Sequence, residues 1–365
     1  MEVVVDNSYD GDGYYERISY TITARLEINR RSYCGGVLLR DGRVVLVPFL
    51  SKKIGIFDPA TNEYSTVADA PGNCAYSGGV LLPDGRVLFI PYSATTIGIF
   101  NPATNAYSTI AEAPGGGAYS DGVLLPDGRV VFVPHNAKTI GIFNPAKNAY
   151  STVAGAPGGA AYNGGVLLPD GRVVFVPLNA MTIGIFDPAT NAYSTIAEAL
   201  VKSLYSGGVL LGDGRVVFVP FNSDRIGVFN PKTNEYSTIA GAPGGAAYYG
   251  GVLLNDGRVI FVLSHKSTMG IFNPATNSYK TTTWASGGTY YGGVLLGDGR
   301  VVFVPWEAAH IGILSLSDEK ARARALRRAE AVKEELIAAA WHPKRMADWC
   351  MDDGERRELA EMWRC

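Results

Sequence analysis

The chain has 365 residues, of which 32 are basic and 34 acidic, for a formal net charge of −2 with no long run of like charge. That balance argues against a nucleic-acid surface as its main business. No apolar run approaches the roughly 20 residues a helix needs to span a bilayer, and neither nucleic acid nor membrane is expected as a partner.

In chain order, residues 1–16 read as an N-terminal extension. The segment holds no apolar run, so no secretory signal is expected. Asp6, Asp10 and Asp12 lie among Gly11 and Gly13, but their spacing does not fit a calcium loop, and a plain terminus is the expectation. Arg17 to Ala24 reads RISYTITA and alternates as a strand does.

From Tyr33 the chain repeats itself. Gly-Val-Leu-Leu-x-Asp-Gly-Arg-Val (the first Gly is the second of a Gly-Gly pair in most copies) occurs seven times, with its Asp at Asp41, Asp84, Asp127, Asp170, Asp213, Asp256 and Asp298. The steps are 43 residues, the last 42, a period that means a solenoid, propeller or array. Tyr76 to Ala118 is the clearest copy. It divides into four short segments rich in Val, Ile, Phe, Tyr and Thr: Gly79 to Leu82 (a), Arg86 to Ile90 (b), Thr96 to Phe100 (c) and Tyr107 to Ala111 (d). Asp84-Gly85 supplies the positive φ angles of a tight a–b hairpin, and Asn101 to Asn105 is turn chemistry between c and d. Segments a and b are almost wholly apolar and d is mixed, the gradient of a propeller blade from its innermost strand outward.

The seventh unit reaches strand c at Ile311 to Leu314 and lacks a strand d, while Arg17 to Ala24 is a strand d with no a, b or c before it. The N-terminal strand is therefore expected to complete the last blade and close the ring, removing open sheet edges. The composition changes at Asp318. Leu326, Ala329, Val332, Leu336 and Ala340 recur at helical spacing, Pro343 breaks the pattern, and short helices are expected after it. The fold expected is all-β: a seven-bladed β-propeller of four-stranded blades over 17–317, closed by an N-terminal strand, with a small α-helical appendage over 318–365 that caps or flanks the face opposite the b–c loops.

Strand a-Asp-Gly-Arg-strand b, then Ile-Gly-Ile-Phe-Asn-Pro-Ala-Thr-Asn-x-Tyr, resembles the repeat of kelch and galactose-oxidase-type propellers over about Tyr33 to Ser317. Two departures stand. The Gly-Gly pair usual after strand b is replaced by Val47-Pro48 or Ile90-Pro91, and the usual Trp opening strand d is Tyr64, Tyr107, Tyr150, Tyr193, Tyr236 or Tyr279. In the tail, Ala340 to Arg345 followed by Trp349 to Asp352 is similar to a short signature in proteins of large DNA viruses. It implies a host-directed adaptor or a virion component, located in host cytoplasm or the virion. His342, Cys350 and Cys365 are only three ligands, at irregular spacing, and a Trp-anchored cap rather than a zinc site is expected. Cys34 and Cys74 fall in successive d–a loops where a bridge is geometrically allowed; without a signal sequence, free thiols in a cytoplasmic setting are expected.

Comparing the seven units locates the variation. The a–b and c–d turns hardly change; the b–c loops do. On that rim the candidate partner-binding residues are Phe49, Tyr92, His135, Asn136, Asn179, Phe221, Asn222, Arg225, His265, Trp306 and Glu307, with Trp284 from a d–a loop. Asp121 joins them because six units have Gly-Gly where strand a begins and the third has Asp121-Gly122. Such a mixture has the composition of a protein interface. The seven arginines opening strand b (Arg43 to Arg300) are expected to pair locally with the turn aspartates, the tyrosines before strand a to pack between blades, and the strand-c glycines to lie under a bulky neighbour.

The galactose-oxidase resemblance implies a copper site with His and Tyr ligands. His135 and His265 fall in blades three and six, too far apart for one, and the loops offer no nucleophile beside a base. The expected function is a non-enzymatic protein-recognition scaffold, monomeric, without metal or cofactor, with the tail as a second contact. A virion structural protein, and a sugar-binding or galactose-oxidase-like propeller with Trp306 and Tyr92 at the site, stay open as alternatives.

Overall fold

The computed structural model describes residues 2–9, 15–22, 31–196, 204–265, 267–284 and 288–317. Seven antiparallel sheets are arranged as blades. In blade two, strands a to d are Tyr76–Leu81, Val87–Pro91, Thr96–Asn101 and Ala106–Glu112, and each of the first six blades follows the same order. Strand b is buried at every position in all seven blades, whereas strand d alternates between half-buried and exposed. The apolar gradient along the repeat is thus a radial gradient from channel to rim.

The turns form for the reasons their residues give. Gly85 adopts φ 86°, and Asp84 accepts the Arg86 backbone N–H at 3.0 Å. Asn101 accepts the Ala103 N–H at 3.0 Å, closing the c–d turn, and Asn105 sits at φ 54°. As expected, the arginines pair locally: all seven meet their turn aspartate at 2.6–2.8 Å. Several reach further. Arg129, Arg172, Arg215 and Arg300 also donate to the carbonyls of Pro188, Pro231, Pro274 and Pro59, each in the next blade's c–d turn.

Between blades the fit depends on two glycines per repeat. A Cβ on Gly98 in strand c would lie 2.8 Å from the Tyr76 ring, because Tyr76 crosses over it to share a 2.5 Å hydrogen bond with Tyr107. The same hydroxyl pair recurs in six blades at 2.5–2.6 Å. A Cβ on Gly79 in strand a would lie 2.7 Å from Val37 of the preceding blade. Only glycine allows the inner strands to converge this closely.

Blade seven consists of Tyr290–Leu295, Val301–Pro305 and Gly312–Ser317, then Tyr15–Ile22 from the N-terminus. Tyr20 lies opposite Leu314, and Arg17 opposite Ser317, so the ring closes with the N-terminal strand as expected. One expectation needs correcting. Residues 1–16 are not a plain terminus: Glu2–Tyr9 pairs antiparallel with Tyr15–Ile22 and gives this blade a fifth strand. The expected C-terminal helices, the His342, Cys350 and Cys365 set, and the signature at 340–352 lie outside the described residues.

Candidate functional site at the channel mouth

Strand a carries an irregularity in register at its first residues in every blade, as between Tyr76 and Gly78 or Tyr119 and Asp121. A bulge re-aims the side chain it carries. Here it turns the residue after the invariant tyrosine toward the channel. Those residues are Cys34, Ser77, Ser120, Asn163, Ser206, Tyr249 and Tyr291, and with the glycines beside them and Asp121 they line a cavity of about 200 Å³. The small ones also tie blades together. The Cys34 thiol donates to the Tyr76 carbonyl at 2.8 Å, the Ser77 hydroxyl to Tyr119 at 2.7 Å, and the Ser120 hydroxyl to Tyr162 at 3.1 Å. Burial pushes the Cys34 thiol well up, which keeps it protonated and unreactive. Cys34 and Cys74 are unbridged.

Around the mouth, the first residue of the b–c loop is held by backbone hydrogen bonds to the d–a loops on either side in six blades, and Ser264 in blade six is bonded to Ala247. Tyr92 N–H donates to Ala75 and Ala118 N–H to Tyr92; the alternation continues through His135, Ala161, Leu178, Leu204, Phe221 and Ala247 at 2.8–3.1 Å. Arg31 N–H donates to Trp306 and joins blade seven to blade one. The loops that vary in sequence therefore have a fixed backbone.

On this belt the aromatic side chains form a continuous arc. Ring centroids are 5.7 Å apart for His135 and Tyr92, 5.9 Å for Tyr92 and Phe49, and 5.0 Å for Phe49 and Trp306. The arc continues through Tyr291 at 5.0 Å and Tyr249 at 4.8 Å to Phe221 at 5.2 Å. Blade four, with Leu178 and Asn163, interrupts it. The Arg31 guanidinium lies 5.8 Å from the Trp306 ring centroid and is held there by Glu307 at 3.1 Å.

Of the residues singled out from sequence, Phe49, Tyr92, His135, Phe221 and Trp306 are brought together in this arc, and His265 packs edge-on against Tyr249 at 6.2 Å. Trp306 is 7% exposed, so it forms the floor of the arc rather than a projection from it. Asn136 and Asn222 are engaged as loop staples: their side-chain oxygens accept Ala160 N–H at 2.9 Å and Ala246 N–H at 2.8 Å. Asn179 occupies the same loop position in blade four. Arg225 is exposed and donates to Thr238 at 3.3 Å. Trp284 does not reach the mouth. It is 3% exposed, stacks on Tyr20 at 4.3 Å and covers Gly312, so in blade seven it fills the space a tyrosine pair fills elsewhere.

Asp121 is on the channel wall. Its carboxylate accepts the N–H of Gly122 at 2.8 Å and, more weakly, of Gly165 in the next blade at 3.4 Å. It keeps some solvent contact through the channel but is surrounded by protein, and this burial pushes its carboxyl up to about 6 against the two hydrogen bonds. His135 donates from Nδ1 to the Tyr162 carbonyl at 3.1 Å, and burial holds it below the ordinary imidazole value, in its neutral form. Among the described residues, no three His, Cys, Asp or Glu side chains are grouped to hold a metal ion. The sequence reading missed the residues after the tyrosines, Tyr249 and Tyr291 above all. The signal was present: within Tyr-x-Gly-Gly, x runs through Cys, Ser, Asn and Tyr, while the glycines change once, at Asp121.

No protein-family model matches the sequence, and no curated protein matches it. Solved structures do match in fold. A streptogramin B lyase superposes with a TM-score of 0.72 at 18% identity, over 82% of this chain and 98% of that one. A catalytically inactive virginiamycin B lyase from Staphylococcus aureus with quinupristin gives 0.71 at 16%, over 82% and 99%. The WD40 propeller domain of Doa1 gives 0.66 at 13%, over 83% and 98%. These correct the expectation of a non-enzymatic chain: the same ring, at the same size, is the fold of lyases, so the architecture supplies no argument against catalysis. Identities this low carry fold alone, and the kelch-type resemblance has no counterpart among them. What the comparisons and the strand order together establish is a seven-bladed β-propeller, the architecture shared with streptogramin B lyases and the WD40 domain of Doa1.

Proposed function

We propose that this propeller is a recognition platform that binds a protein partner on the rim formed by its b–c and d–a loops. One observation carries the reading: the side chains vary where the backbone is most firmly held. Uniform drift would have loosened the c–d turns as well, whereas those stay the same from blade to blade and the variation is concentrated on this rim, whose backbone is held by a regular belt of hydrogen bonds. A fixed backbone with varied side chains lowers the ordering cost of binding. The composition agrees. Among the described residues, the two exposed large hydrophobic side chains are Leu50, 40% exposed, and Met181, 58% exposed, and both are on b–c loops. Leu50 follows Phe49 of the aromatic arc and Met181 is on the blade-four loop that interrupts it, and aromatic groups are preferred anchors at interfaces.

The test places a photo-crosslinking residue at Leu50 or Met181, and as controls at Thr104 or Lys147 in the exposed c–d turns of the other rim. Adducts to one protein species from the first pair and not from the second are expected. Adducts equally frequent from both rims, or from the c–d turns alone, sink the proposal.

A further inference from the structure

The channel mouth holds a charge that the protein does not neutralise. Position three of strand a is glycine in six blades; in the third it is Asp121. The carboxylate fills space left by another glycine, since a Cβ on Gly78 would lie 3.0 Å from its Oδ1. Two backbone N–H groups reach it, against the roughly four lone-pair sites a carboxylate offers. Among the described residues no Lys or Arg pairs with it. Removing a carboxylate from bulk water without a counter-charge is costly, and its six glycine counterparts avoid that cost.

The other side of the channel has a different chemistry. Blades six and seven lie three and four blades from blade three, hence across a seven-membered ring. From them Tyr249 and Tyr291 line the same cavity as Asp121, with stacked rings 4.8 Å apart at 20°. The Asp121 charge is felt across the gap, where it adds to the burial that keeps the Tyr291 phenol neutral. The carboxylate on one wall attracts a positive charge, and the two phenol rings on the other, packed between Phe221 and Trp306, give the cavity a rigid aromatic wall. Hard metal ions call for several oxygen ligands, preferably anionic; the lining offers one carboxylate, and Ser77, Ser120 and Ser206 are engaged in hydrogen bonds to the next blade's carbonyls. An organic cation is satisfied by one carboxylate for its charge and an aromatic wall for its carbon stem. The arc already displays this preference on its outer side, where Trp306 carries the chain's own Arg31.

We propose that the cavity bounded by Asp121, Tyr249 and Tyr291 receives an organic cation, the ammonium or guanidinium end of a basic side chain presented by the partner. This rests on the reading of the rim as a recognition surface. A cavity of about 200 Å³ has room for one such group, since about 150 Å³ accommodates benzene.

The probes are butylammonium and butylguanidinium chloride, with n-butanol as the neutral isostere and calcium chloride as the inorganic cation, titrated calorimetrically at constant ionic strength into the full chain. Saturable binding of both organic cations is expected, with none of butanol. Asp121→Asn is expected to weaken the cations at least tenfold, and Tyr291→Leu severalfold with Asp121 still in place. Thermal unfolding of each variant shows that it is folded. Butanol binding as tightly as the cations, calcium binding more tightly, or cation binding unchanged in Asp121→Asn overturns the inference. Its failure is separable from failure of the rim reading. If the cations do not bind but crosslinks at Leu50 and Met181 persist, the cation site is wrong and the rim stands. If cations bind but crosslinks come from the other rim, the cation site stands and the rim reading falls.

Discussion

On the rim of a–b and c–d turns, the same Asp–Arg pair occurs seven times and stitches each blade to itself, and in several cases to the next. On the rim of b–c and d–a loops, the stitching is done by backbone groups, and the side chains differ from blade to blade. Both rims hold the ring together. They differ in which atoms carry that task. Where side chains carry it, every repeat needs the same ones. Where N–H and C=O groups carry it, the side chains are released to do something else.

That division is open to attack at four places, in falling order of effect on stability. Trp284 comes from a loop of the varied rim yet belongs to the core, packed on Tyr20, Tyr290 and Phe303. Trp284→Ala should cost about 3–5 kcal/mol in denaturant unfolding, the range for a large aromatic removed from a core. A loss under about 1 kcal/mol would return Trp284 to the recognition surface.

Asp121 should show the opposite sign. Its carboxyl titrates near 3.9 in the unfolded chain and at about 6 in the fold, so the fold favours the protonated form. The penalty is absent below about pH 4, grows as pH rises, and is complete above the folded value. Asp121→Asn should therefore stabilise the protein at pH 8, by up to about 3 kcal/mol, and the gain should vanish near pH 4. Unfolding midpoints at the two pH values read this directly. An Asn variant less stable than the wild type at pH 8 would mean that Asp121 is satisfied where it stands.

On the uniform rim, Asp170 sits beside Arg172, whose guanidinium holds the carboxyl below the usual range. Asp170→Asn should lose about 0.5–1 kcal/mol at pH 7, reduced by salt, and leave partner crosslinks unchanged. Its loss should fade as pH falls through the lowered folded value, since the benefit of a depressed carboxyl is present only above it. The smallest stability effect is expected from Leu50→Asp with Met181→Asp, within about 0.5 kcal/mol, accompanied by the largest loss of partner crosslinking when the photo-crosslinking residue is placed at the neighbouring Lys52 instead. If that pair destabilises the ring like a core substitution, the varied rim is structural after all.

Much of the ring was legible in the sequence because each feature is local. Asp-Gly fixes a hairpin within four residues, Arg43 meets Asp41 two positions away, and a missing strand d at one end matched a spare one at the other. The features that escaped depend on registers and on neighbours across blades. Tyr-x-Gly-Gly permits a bulge, but only the pairing of Tyr76 with Pro91 and of Gly78 with Ile90 fixes its position, and so the orientation of Ser77 or Tyr249. Trp284 reads as a loop anchor until the indole is found over Gly312. Glu2–Tyr9 holds three valines in a row, yet the Asp and Gly residues in the sequence after it concealed a strand whose partner is Tyr15–Ile22.

The closing strand has a consequence for how the protein is made. Tyr15–Ile22 leaves the ribosome before the blades it helps to close, and its partner Gly312–Ser317 comes after all of them. At translation speeds of 5–20 residues per second, roughly 15–60 s separates the two. During that interval the blades already assembled form an open crescent whose end blades expose apolar faces, and Tyr15–Ile22 lacks its partner in the sheet. Aggregation is therefore a hazard of the nascent chain more than of the finished ring, and slowing synthesis late in the message should lower the soluble yield without changing the stability of what is recovered.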